Sequence, residues 1–391
     1  MPAQSASAAK AHRAGVYLPQ PTGYRAFMPA PLPPKNPPLN MNDPELLVLL
    51  SSADRAIGRL DAATELLPNP DLFVAMYVRK EAVLSSQIEG TQASLIDLLE
   101  YESEHAKSGT KGDVGEVVNY VKAMNHGLAR VRELPPSIRL IKEIHAILIE
   151  TGRGSNLEPG EFRRTQNWIG PQGCSLSSAS FVPPPPQEIV QLMGALEDYI
   201  HAEDSIPPLI KFGLIHAQFE TIHPFLDGNG RMGRLLITFL LCWKTILSRP
   251  LLYLSSYFKA NRSEYYERLQ RIRDYGEWEE WLKFFLNGVK ETSLQASKTA
   301  RDIQKMREEH RALVSEKMPG SANGLLLLDK LFEQPFTSVG ALARDIEKSY
   351  PVANKLCSRL EQLGLLKELT GQKRNRFYSY QPYLNLLRHG E

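Results

Sequence analysis

A stretch of twelve residues, His223 to Arg234, restricts the fold and chemistry of this chain more than any other. It reads His-Pro-Phe-Leu-Asp-Gly-Asn-Gly-Arg-Met-Gly-Arg, with one base, one carboxylate, three glycines and two arginines. The preceding residues, Ile210 to Ile222, carry apolar side chains at helical spacing, and Pro224 ends that helix. His223 is therefore predicted at a helix C-terminus, and Arg231 is predicted to begin a second, apolar helix.

The residue types in this stretch are those of a phosphate site. Glycines let the backbone turn its N–H groups towards an anion, and the start of the second helix faces the same anion. Asp227 can hold a hard divalent cation through an oxygen atom. Arg231 and Arg234 lie on one helical face and can bind phosphate oxygens. His223 is the only base near them.

Two other interpretations of the stretch fail. Gly228 to Gly233 matches the dinucleotide fingerprint G-x-G-x-x-G, but a helix precedes it, and no Asp or Glu occurs between Asp227 and Glu264. A zinc site would need more ligands than His216 and His223, because no H-E-x-x-H occurs and the three cysteines are isolated. A simple Gly-rich turn does not explain why a base, an acid, an amide and two arginines coincide.

The stretch resembles the signature of the Fic family, H-P-F-x-(D/E)-G-N-G-R-x-x-R, at every position. This resemblance implies a mainly α-helical bundle and an ATP-dependent transferase that moves AMP onto a hydroxyl side chain of a target protein. That chemistry needs positioning, charge neutralisation and a base. The resemblance implies these roles: general base, His223; Mg²⁺ ligand, Asp227; anion-binding backbone, Gly228, Asn229 and Gly230; ligands of the triphosphate, Arg231 and Arg234.

A second stretch, Ser85 to Gly90, takes its meaning from the first. A glutamate before a glycine near a helix end usually faces solvent. Ser85, Glu89 and Gly90 nevertheless resemble the family's inhibitory pattern, (S/T)-x-x-x-E-(G/N), and precede the signature as in the class with an N-terminal inhibitor in the same chain. The resemblance implies that Glu89 pairs with Arg234 and so excludes productive ATP.

Composition places the chain among ordinary globular proteins, with 42% hydrophobic and 23% charged residues. A net charge of +2 gives no global signal for a polyanionic partner. The isolated cysteines predict a reducing compartment. The N-terminus lacks an apolar signal region, and the longest mostly apolar run, Leu235 to Trp243, is too short to span a bilayer. We therefore expect a cytoplasmic protein without a membrane segment.

We divide the 391 residues into five regions. The first is a proline-rich strap, which we interpret as wrapping its own domain rather than as a ligand for another domain. The second contains the inhibitory residues in one long helix, Phe73 to Leu99, interrupted at Gly90. The regions are the strap, 1–42; the N-terminal helical region, 43–113; the Fic catalytic core, 114–290; a connecting helix, 291–320; and a winged helix-turn-helix domain, 321–391.

Within the core, two segments predict a β-hairpin. Phe162 to Ile169 alternates roughly in twos, Ala179 to Val182 is a short extended run, and turn residues separate them. The hairpin can be purely structural. The resemblance places a flap here, which positions an extended segment of the target by edge-strand pairing.

Three residues after the motif resemble the family's region beside the nucleoside. Asn261 is a candidate partner for an adenine edge, and Tyr265 and Tyr266 are candidate pocket walls. An aromatic pair on a helix more often belongs to the core.

The C-terminal region resembles a winged helix-turn-helix. Helices are predicted over Leu325 to Phe332, from Thr337, and over Tyr350 to Leu363, followed by strand, turn and strand. The third helix is the candidate recognition helix, and residues 372–376 are the tip of the wing. From Thr337 onwards there are nine Lys or Arg and five Asp or Glu, an excess that permits DNA binding without requiring it. We favour protein docking, so the alternative partners are a target protein, a second copy of the chain (a homodimer) and DNA.

Two other functions share these features. A winged-helix transcriptional regulator could sense a nucleotide without turning it over, but sensing requires no general base such as His223. Removal of AMP, with Glu89 orienting water, would use the same site and stays an alternative. Neither the target, nor the acceptor type among Ser, Thr and Tyr, nor the nucleotide preference is readable from the sequence.

Overall fold

The structure, a computed structural model, describes residues 13–65, 67, 70–102, 112–171, 173–320, 322–372 and 376–388. The first part of the predicted strap and residues 373–375 of the predicted wing tip lie outside the described residues. The described chain forms two compact units. The first comprises residues 13–61, 78–93 and 112–294, and the second comprises residues 62–77, 94–102 and 295–388, so several chain segments build each unit.

The fold is mainly α-helical, as the motif resemblance predicts. The helices up to the end of the motif region are α1 Pro44–Glu65, α2 Pro70–Ile88, α3 Leu95–Glu102, α4 Gly112–Arg130, α5 Ile138–Leu148, α6 Ile189–His201, α7 Pro208–Ile222 and α8 Asn229–Trp243. The later helices are α9 Ser255–Ala260, α10 Arg262–Tyr275, α11 Trp278–Lys317, α12 Ala322–Glu333, α13 Val339–Asp345, α14 Tyr350–Gln362 and α15 Gln381–Arg388.

The described part of the strap forms a β-hairpin that the sequence analysis missed. Strands β1 (Gly15–Pro19) and β2 (Arg25–Pro29) are antiparallel. The Phe27 N–H donates to the Val182 carbonyl at 2.9 Å, so β2 also lies beside the chain that leaves the predicted flap. Helix α1 then begins at Pro44, the predicted first helical position, where Pro is favoured because the N–H it lacks has no intrahelical partner.

The helical stretch predicted from Phe73 to Leu99, with an interruption at Gly90, consists of two helices with Gly90 between them. Helix α2 ends at Ile88, and α3 begins only at Leu95. Gly90 has a φ of 100°, a left-handed conformation that glycine adopts without steric cost and that a helix cannot contain. Glu89 therefore lies in a turn just beyond α2 rather than inside a helix.

Helices α7 and α8, on either side of the motif, form the centre of the first unit. Every residue of α7 from Leu209 to Ile222 is buried, and so is α8 from Arg231 to Leu241. The run from Leu235 is apolar nearly all round, as a helix buried on all faces normally is. Helix α6 and helices α4 and α5 pack against this pair. The motif turn thus joins two buried helices.

The predicted flap hairpin is reduced to a single antiparallel bridge between Ile169 and Phe181. A short 3-10 turn, Leu176–Ser178, lies between its two arms. The second arm runs directly into the prolines from Pro183, which lack backbone donors and cannot extend a strand ladder. The segment therefore has two irregular arms joined at one bridge in place of the predicted hairpin.

The connecting helix predicted at 291–320 is not a separate element. Helix α11 runs without a break for 40 residues, from Trp278 to Lys317. Its first half carries buried side chains such as Trp281 and Phe285. It stops just before Met318-Pro319-Gly320, because Pro lacks the N–H that the helix requires.

The C-terminal segment combines α12 to α15 with a small sheet. Strands β3 (Phe336–Ser338), β4 (Lys367–Glu368) and β5 (Phe377–Ser379) form an antiparallel sheet in the order β3-β5-β4. The helix predicted from Thr337 begins at Val339 instead, because Ser338 ends β3 and its hydroxyl accepts from the Ala341 N–H at 3.0 Å. Helix α15 was not predicted. The winged-helix assignment stays an interpretation of this order of elements.

In the part of the chain that the structure describes, helices long and apolar enough to cross a membrane are absent. Cys174, Cys242 and Cys357 are free thiols.

Candidate active site

Helix α7 ends in a left-handed residue, His223. Its N–H still donates to the Phe219 carbonyl at 2.9 Å, but its φ is 50°, and Pro224 then carries the chain away. A non-glycine residue with positive φ is uncommon and persists only where its surroundings hold it. The turn therefore places the imidazole in a defined direction at the end of a buried helix.

Asn229 holds the turn closed from its far side. Its side-chain Oδ1 accepts from the Phe225 N–H at 2.9 Å, and its Nδ2 donates to the Phe225 carbonyl at 2.8 Å. Both ends of the amide are thus used to fix the backbone, and the contribution of Asn229 to an anion site comes from its backbone N–H.

His145, on α5, supports the same turn and was missed by the sequence analysis. The Gly160 N–H donates to its Nδ1 at 3.0 Å, so the proton is on Nε2, which donates to the Asp227 carbonyl at 2.9 Å. Its ring stacks on Phe225 with centroids 3.6 Å apart. Burial lowers the pKa of His145 to about 4, so the imidazole is neutral and structural. A histidine within an amphipathic helix gives no sequence signal for this role.

The N-terminus of α8 forms an anion site. Gly228, with a φ of 78°, precedes the helix, and the first intrahelical bond runs from the Met232 N–H to the Gly228 carbonyl. The N–H groups before Met232 have no partner in the helix and carry its positive dipole end. A Cβ added to Gly230 would lie 2.2 Å from an oxygen of Glu89, so glycine is required for that carboxylate to reach the site.

The carboxylate of Glu89 binds the guanidinium group of Arg234. Arg234 is buried and donates to Glu89 Oε1 at 2.8 Å. It also donates to the Ser85 hydroxyl at 2.8 Å and to the Ser85 carbonyl at 3.0 Å. Burial opposes ionisation of Glu89, but the positive charge of Arg234 outweighs it and lowers the pKa of the carboxyl. Ser85 and Glu89 therefore both contact Arg234, and Gly90 supplies the turn that follows Glu89.

Arg231 differs from Arg234 because part of its guanidinium is unused. It is fully buried and donates to Glu116 on α4 at 3.2 Å. Among the described residues, its Nε and Nη2 atoms are buried without a hydrogen-bond partner, and Nη2 lies 3.8 Å from Oδ1 of Asp227. Such unpaired buried donors are costly and suit an incoming anion. Glu116, which also accepts from the Arg153 N–H at 3.1 Å, is a second residue that the sequence analysis missed.

Asp227 is the candidate metal ligand, and its surroundings fit a weakly held cation. Its Oδ1 accepts from the Gly228 N–H at 2.6 Å, while Oδ2 lies 3.4 Å from Nε of Arg153. Mg²⁺ commonly uses one or two carboxylates together with substrate phosphates and water. In the described residues no group of three acidic, His or Cys side chains is arranged as a metal cage. One partly exposed carboxylate beside an anion site fits a metal that arrives with a phosphate.

The candidate nucleoside residues have different surroundings. Tyr265 is 1% exposed, and its hydroxyl donates to Nε2 of His216 at 2.9 Å, since His216 Nδ1 must donate to the Gly233 carbonyl. Tyr265 therefore lies in the core beside α8. Tyr266 is 37% exposed, and Asn261 donates to the Tyr257 carbonyl at 3.0 Å.

His223 is neutral. Burial lowers its pKa to about 3, and the charges of Arg163 and Arg273 act in the same direction, while Glu89 opposes them. Its Nδ1 is buried without a hydrogen-bond partner among the described residues. The site thus combines a neutral imidazole, a helix N-terminus, unpaired arginine donors and one carboxylate within a single turn. Such a turn is suited to binding a phosphate beside a base.

Comparison with known proteins agrees with this geometry. Residues 135–241, which contain the whole motif, match the Fic/DOC family, and residues 47–129 match the Fic/DOC family N-terminal region. Over these two regions the chain is similar to the Fic/DOC family.

Curated relatives match part of the chain. Protein adenylyltransferase Fic of Drosophila willistoni is 32% identical over 164 residues, and that of Drosophila grimshawi is 31% identical over 164 residues. Each alignment covers 41% of this chain, and the chain spans 29% and 30% of the length of these relatives. A solved Fic family protein from Desulfovibrio desulfuricans shares the fold, with a TM-score of 0.54 and 19% identity over 86% of this chain and 96% of that one.

Proposed function

We propose that this protein transfers AMP from ATP to a hydroxyl side chain of a target protein, and that Glu89 holds it in an inhibited state. One observation carries the proposal: neutral His223 lies at the same turn as the α8 N-terminus and the unpaired donors of Arg231. The curated relatives named protein adenylyltransferase support the same reaction.

In this mechanism His223 is the general base. The acceptor hydroxyl gives its proton to the imidazole as its oxygen forms a bond to the α-phosphorus of ATP. The bond between the α-phosphorus and the bridging oxygen breaks, and pyrophosphate leaves with that electron pair. A buried imidazole is a weak base in the free protein, but the negative phosphates would stabilise the protonated form.

The phosphates would be bound by the backbone N–H groups at the start of α8 and by Arg231. Asn229 and Gly230 would provide backbone N–H groups, and Gly228, whose N–H donates to Asp227, allows the turn. The Nε and Nη2 atoms of Arg231, which lack a hydrogen-bond partner among the described residues, would provide two charged hydrogen bonds. Mg²⁺ held by Asp227 would supply charge neutralisation to the leaving pyrophosphate.

Autoinhibition follows from the competition for Arg234. While Ser85 and Glu89 occupy its guanidinium, the γ-phosphate of ATP has no cation at that position. A charge-assisted hydrogen bond contributes about 1.5–3 kcal/mol. Each 1.4 kcal/mol is a factor of about ten in an equilibrium, so the pairing is strong enough to keep most molecules inhibited.

The test is self-modification followed by intact-mass spectrometry. Wild-type protein, Glu89→Gly and Glu89→Gly/His223→Ala are incubated with ATP and Mg²⁺. We expect the mass of one or more AMP groups on Glu89→Gly and none on the double variant. If Glu89→Gly gains no AMP on itself, and transfers no label from α-labelled ATP to proteins of a lysate, AMP transfer is excluded as the function.

Removal of AMP from a modified target is the alternative function. A substitution of Glu89 distinguishes the two reactions. The ionised carboxylate of Glu89 lies over Gly230, where it could orient a water molecule for hydrolysis. Glu89→Gly should raise AMP transfer but abolish removal. Incubation of an AMP-modified target with both forms therefore assigns the direction.

For the C-terminal segment we propose protein docking rather than DNA reading. On the candidate recognition helix α14, Asn354 and Ser358 are both bonded to Arg376, at 2.5 and 3.1 Å. Two polar side chains of this helix are therefore engaged within the segment. A gel-shift titration of the protein at low and high salt, with random duplex DNA, should show at most weak binding.

A further inference from the structure

Two arginines of the first unit are buried without an acidic partner. Arg163, near the start of the first arm of the flap, is 2% exposed, and Arg273 on α10 is 6% exposed. Buried arginines normally pair with carboxylates, because an unpaired buried charge is costly. Within the described residues, neither guanidinium lies within ion-pair distance of an Asp or Glu. Both are bound by neutral oxygen atoms instead.

Arg163 binds backbone carbonyls of two different elements. Its Nε donates to the His223 carbonyl at 2.9 Å, and Nη2 lies 3.5 Å from the Ile222 carbonyl, at the end of α7. Its Nη2 also donates to Pro184 at 2.6 Å, and Nη1 donates to Thr165 at 3.2 Å, on the two arms of the flap. One planar group therefore joins the flap to the residue that carries the base.

Arg273 spans the same two elements from another side. Its Nη2 donates to the Glu220 carbonyl at 3.3 Å, and Nε donates to the Thr221 hydroxyl at 3.2 Å. Its guanidinium carbon lies 3.7 Å from the ring centroid of Phe181, the flap residue bridged to Ile169. The two arginines thus hold the last turn of α7 and both arms of the flap together.

This arrangement has a physical reason. The last carbonyls of a helix have no intrahelical partner and carry its negative dipole end, so cations are favoured there. The guanidinium fork can bind several carbonyls at once, which an ammonium group cannot do with the same geometry. Fixing the carbonyl of left-handed His223 fixes the direction of its side chain.

We propose that Arg163 and Arg273 are positioning residues that lock the flap, and with it the acceptor hydroxyl of the target, in register with His223. This inference rests on the proposed function, in which His223 is the base and the flap holds the target. Neither arginine contacts the nucleotide in this role; each acts through His223 and the flap.

The charges around His223 support the inference. Arg163 approaches from the flap, Arg273 from α10, Glu89 from the turn after α2, and Glu220 lies one turn earlier on α7. After burial, the two arginines are the next largest causes of the lowered pKa of His223. Burial raises the pKa of Glu220 to about 7, so this carboxyl offsets the arginines only in part.

The test compares Arg163→Lys, Arg163→Met and Arg273→Met, with Arg164→Met as the control. Arg164 is the next residue in the chain but is exposed. Backbone hydrogen exchange should become at least about tenfold faster at residues 165–169 and 179–182 in Arg163→Lys, because an ammonium cannot replace four carbonyl bonds. Arg164→Met should leave this exchange unchanged.

The second readout is the titration of the His223 imidazole by NMR, assigned from the spectrum of His223→Ala. In the wild-type protein His223 should stay neutral down to pH 4. In Arg163→Met/Arg273→Met the midpoint should rise by roughly two units, since each nearby like charge shifts a pKa by about one or more. Arg163→Lys, which keeps its charge, should titrate like the wild type.

The third readout uses the Glu89→Gly background. Arg163→Lys should lower kcat for AMP transfer at least about tenfold with the KM for ATP unchanged, because misplacing the acceptor affects the reaction and not nucleotide binding. The inference is overturned if flap exchange and the His223 titration stay at wild-type values while only the melting temperature falls. If Arg163→Met does not fold, Arg163→Lys and Arg273→Met carry the same test. If Glu89→Gly transfers no AMP at all, the proposed function fails, and the exchange and NMR readouts still decide this inference.

Discussion

The motif turn and the C-terminal segment are both short helical arrangements rich in polar side chains, yet they are held in different ways. In the turn, Arg234 bonds to Ser85, 149 positions away, and Arg231 bonds to Glu116, 115 positions away. In the C-terminal segment, Arg376 bonds to Asn354, only 22 positions away, and Ser338 caps its own helix. In the proposed reaction site, polar side chains are held by residues from distant parts of the chain. In the C-terminal segment, polar side chains bond to nearby residues and stabilise the segment itself.

The largest expected effect tests the base. His223→Ala in the Glu89→Gly background should lower AMP transfer by about 10²–10⁴-fold, because a positioned base contributes that much to the rate. ATP affinity, measured by calorimetry, should change little. His126→Ala is the matched control, since His126 is 38% exposed beside Glu143 and outside the turn. Near-normal AMP transfer by His223→Ala would mean that the motif turn is not the reaction site, and the contrast with the C-terminal segment would then not hold.

Release of Arg234 should have the next largest effect. Glu89→Gly should raise AMP transfer by about ten- to a hundredfold, the range that corresponds to one charge-assisted hydrogen bond. Glu89→Gln should raise it less, because the amide keeps a neutral hydrogen bond to the arginine. Rates are measured with labelled ATP. Equal rates in wild type and Glu89→Gly would mean that the contact is only a helix-end interaction.

The pH dependence should be weak. An ordinary histidine titrates near pH 6.5, but the pKa of His223 is lowered to about 3, and removal of Glu89 lowers it further. In Glu89→Gly, kcat/KM for ATP should therefore stay nearly constant from pH 8 to pH 5.5. The pairing of Glu89 itself is present above its ordinary pKa and is lost only as the pH falls through its lowered folded pKa, so inhibition in the wild type should also persist over this range. An acid limb centred near pH 6.5 would contradict the assigned environment of His223.

The smallest effect is expected in the C-terminal segment. Arg376→Ala should lower the free energy of unfolding by about 1 kcal/mol, because it removes local hydrogen bonds that water largely replaces. AMP transfer should be unchanged. Urea denaturation and the self-modification assay measure the two quantities, with exposed Lys355→Ala as the control on the same helix. A loss of transfer in Arg376→Ala would show that the C-terminal segment supports the reaction.

Much of the architecture follows from local sequence. Apolar spacing before His223 predicts α7, Pro224 predicts its end, and the all-apolar run from Leu235 predicts a central buried helix. These features depend on neighbours within one or two turns. The predictions fail where contacts between distant residues determine the structure. The predicted flap hairpin has only one bridge, and the strap contains a hairpin beside the flap.

The sequence by itself determined the chemical inventory of this protein: a base, a carboxylate, backbone N–H groups and two arginines within twelve residues, with a glutamate, Glu89, upstream. Only the tertiary structure decided how each group is used. In the structure Arg234 bonds to Ser85 and Glu89, and two donors of Arg231 have no hydrogen-bond partner among the described residues. Arg163 donates a hydrogen bond to the His223 carbonyl. The reason is that residue type and spacing fix what a side chain can bond to and which neighbours share its face, whereas partners more than a hundred positions away are chosen by the packing of the whole helical unit.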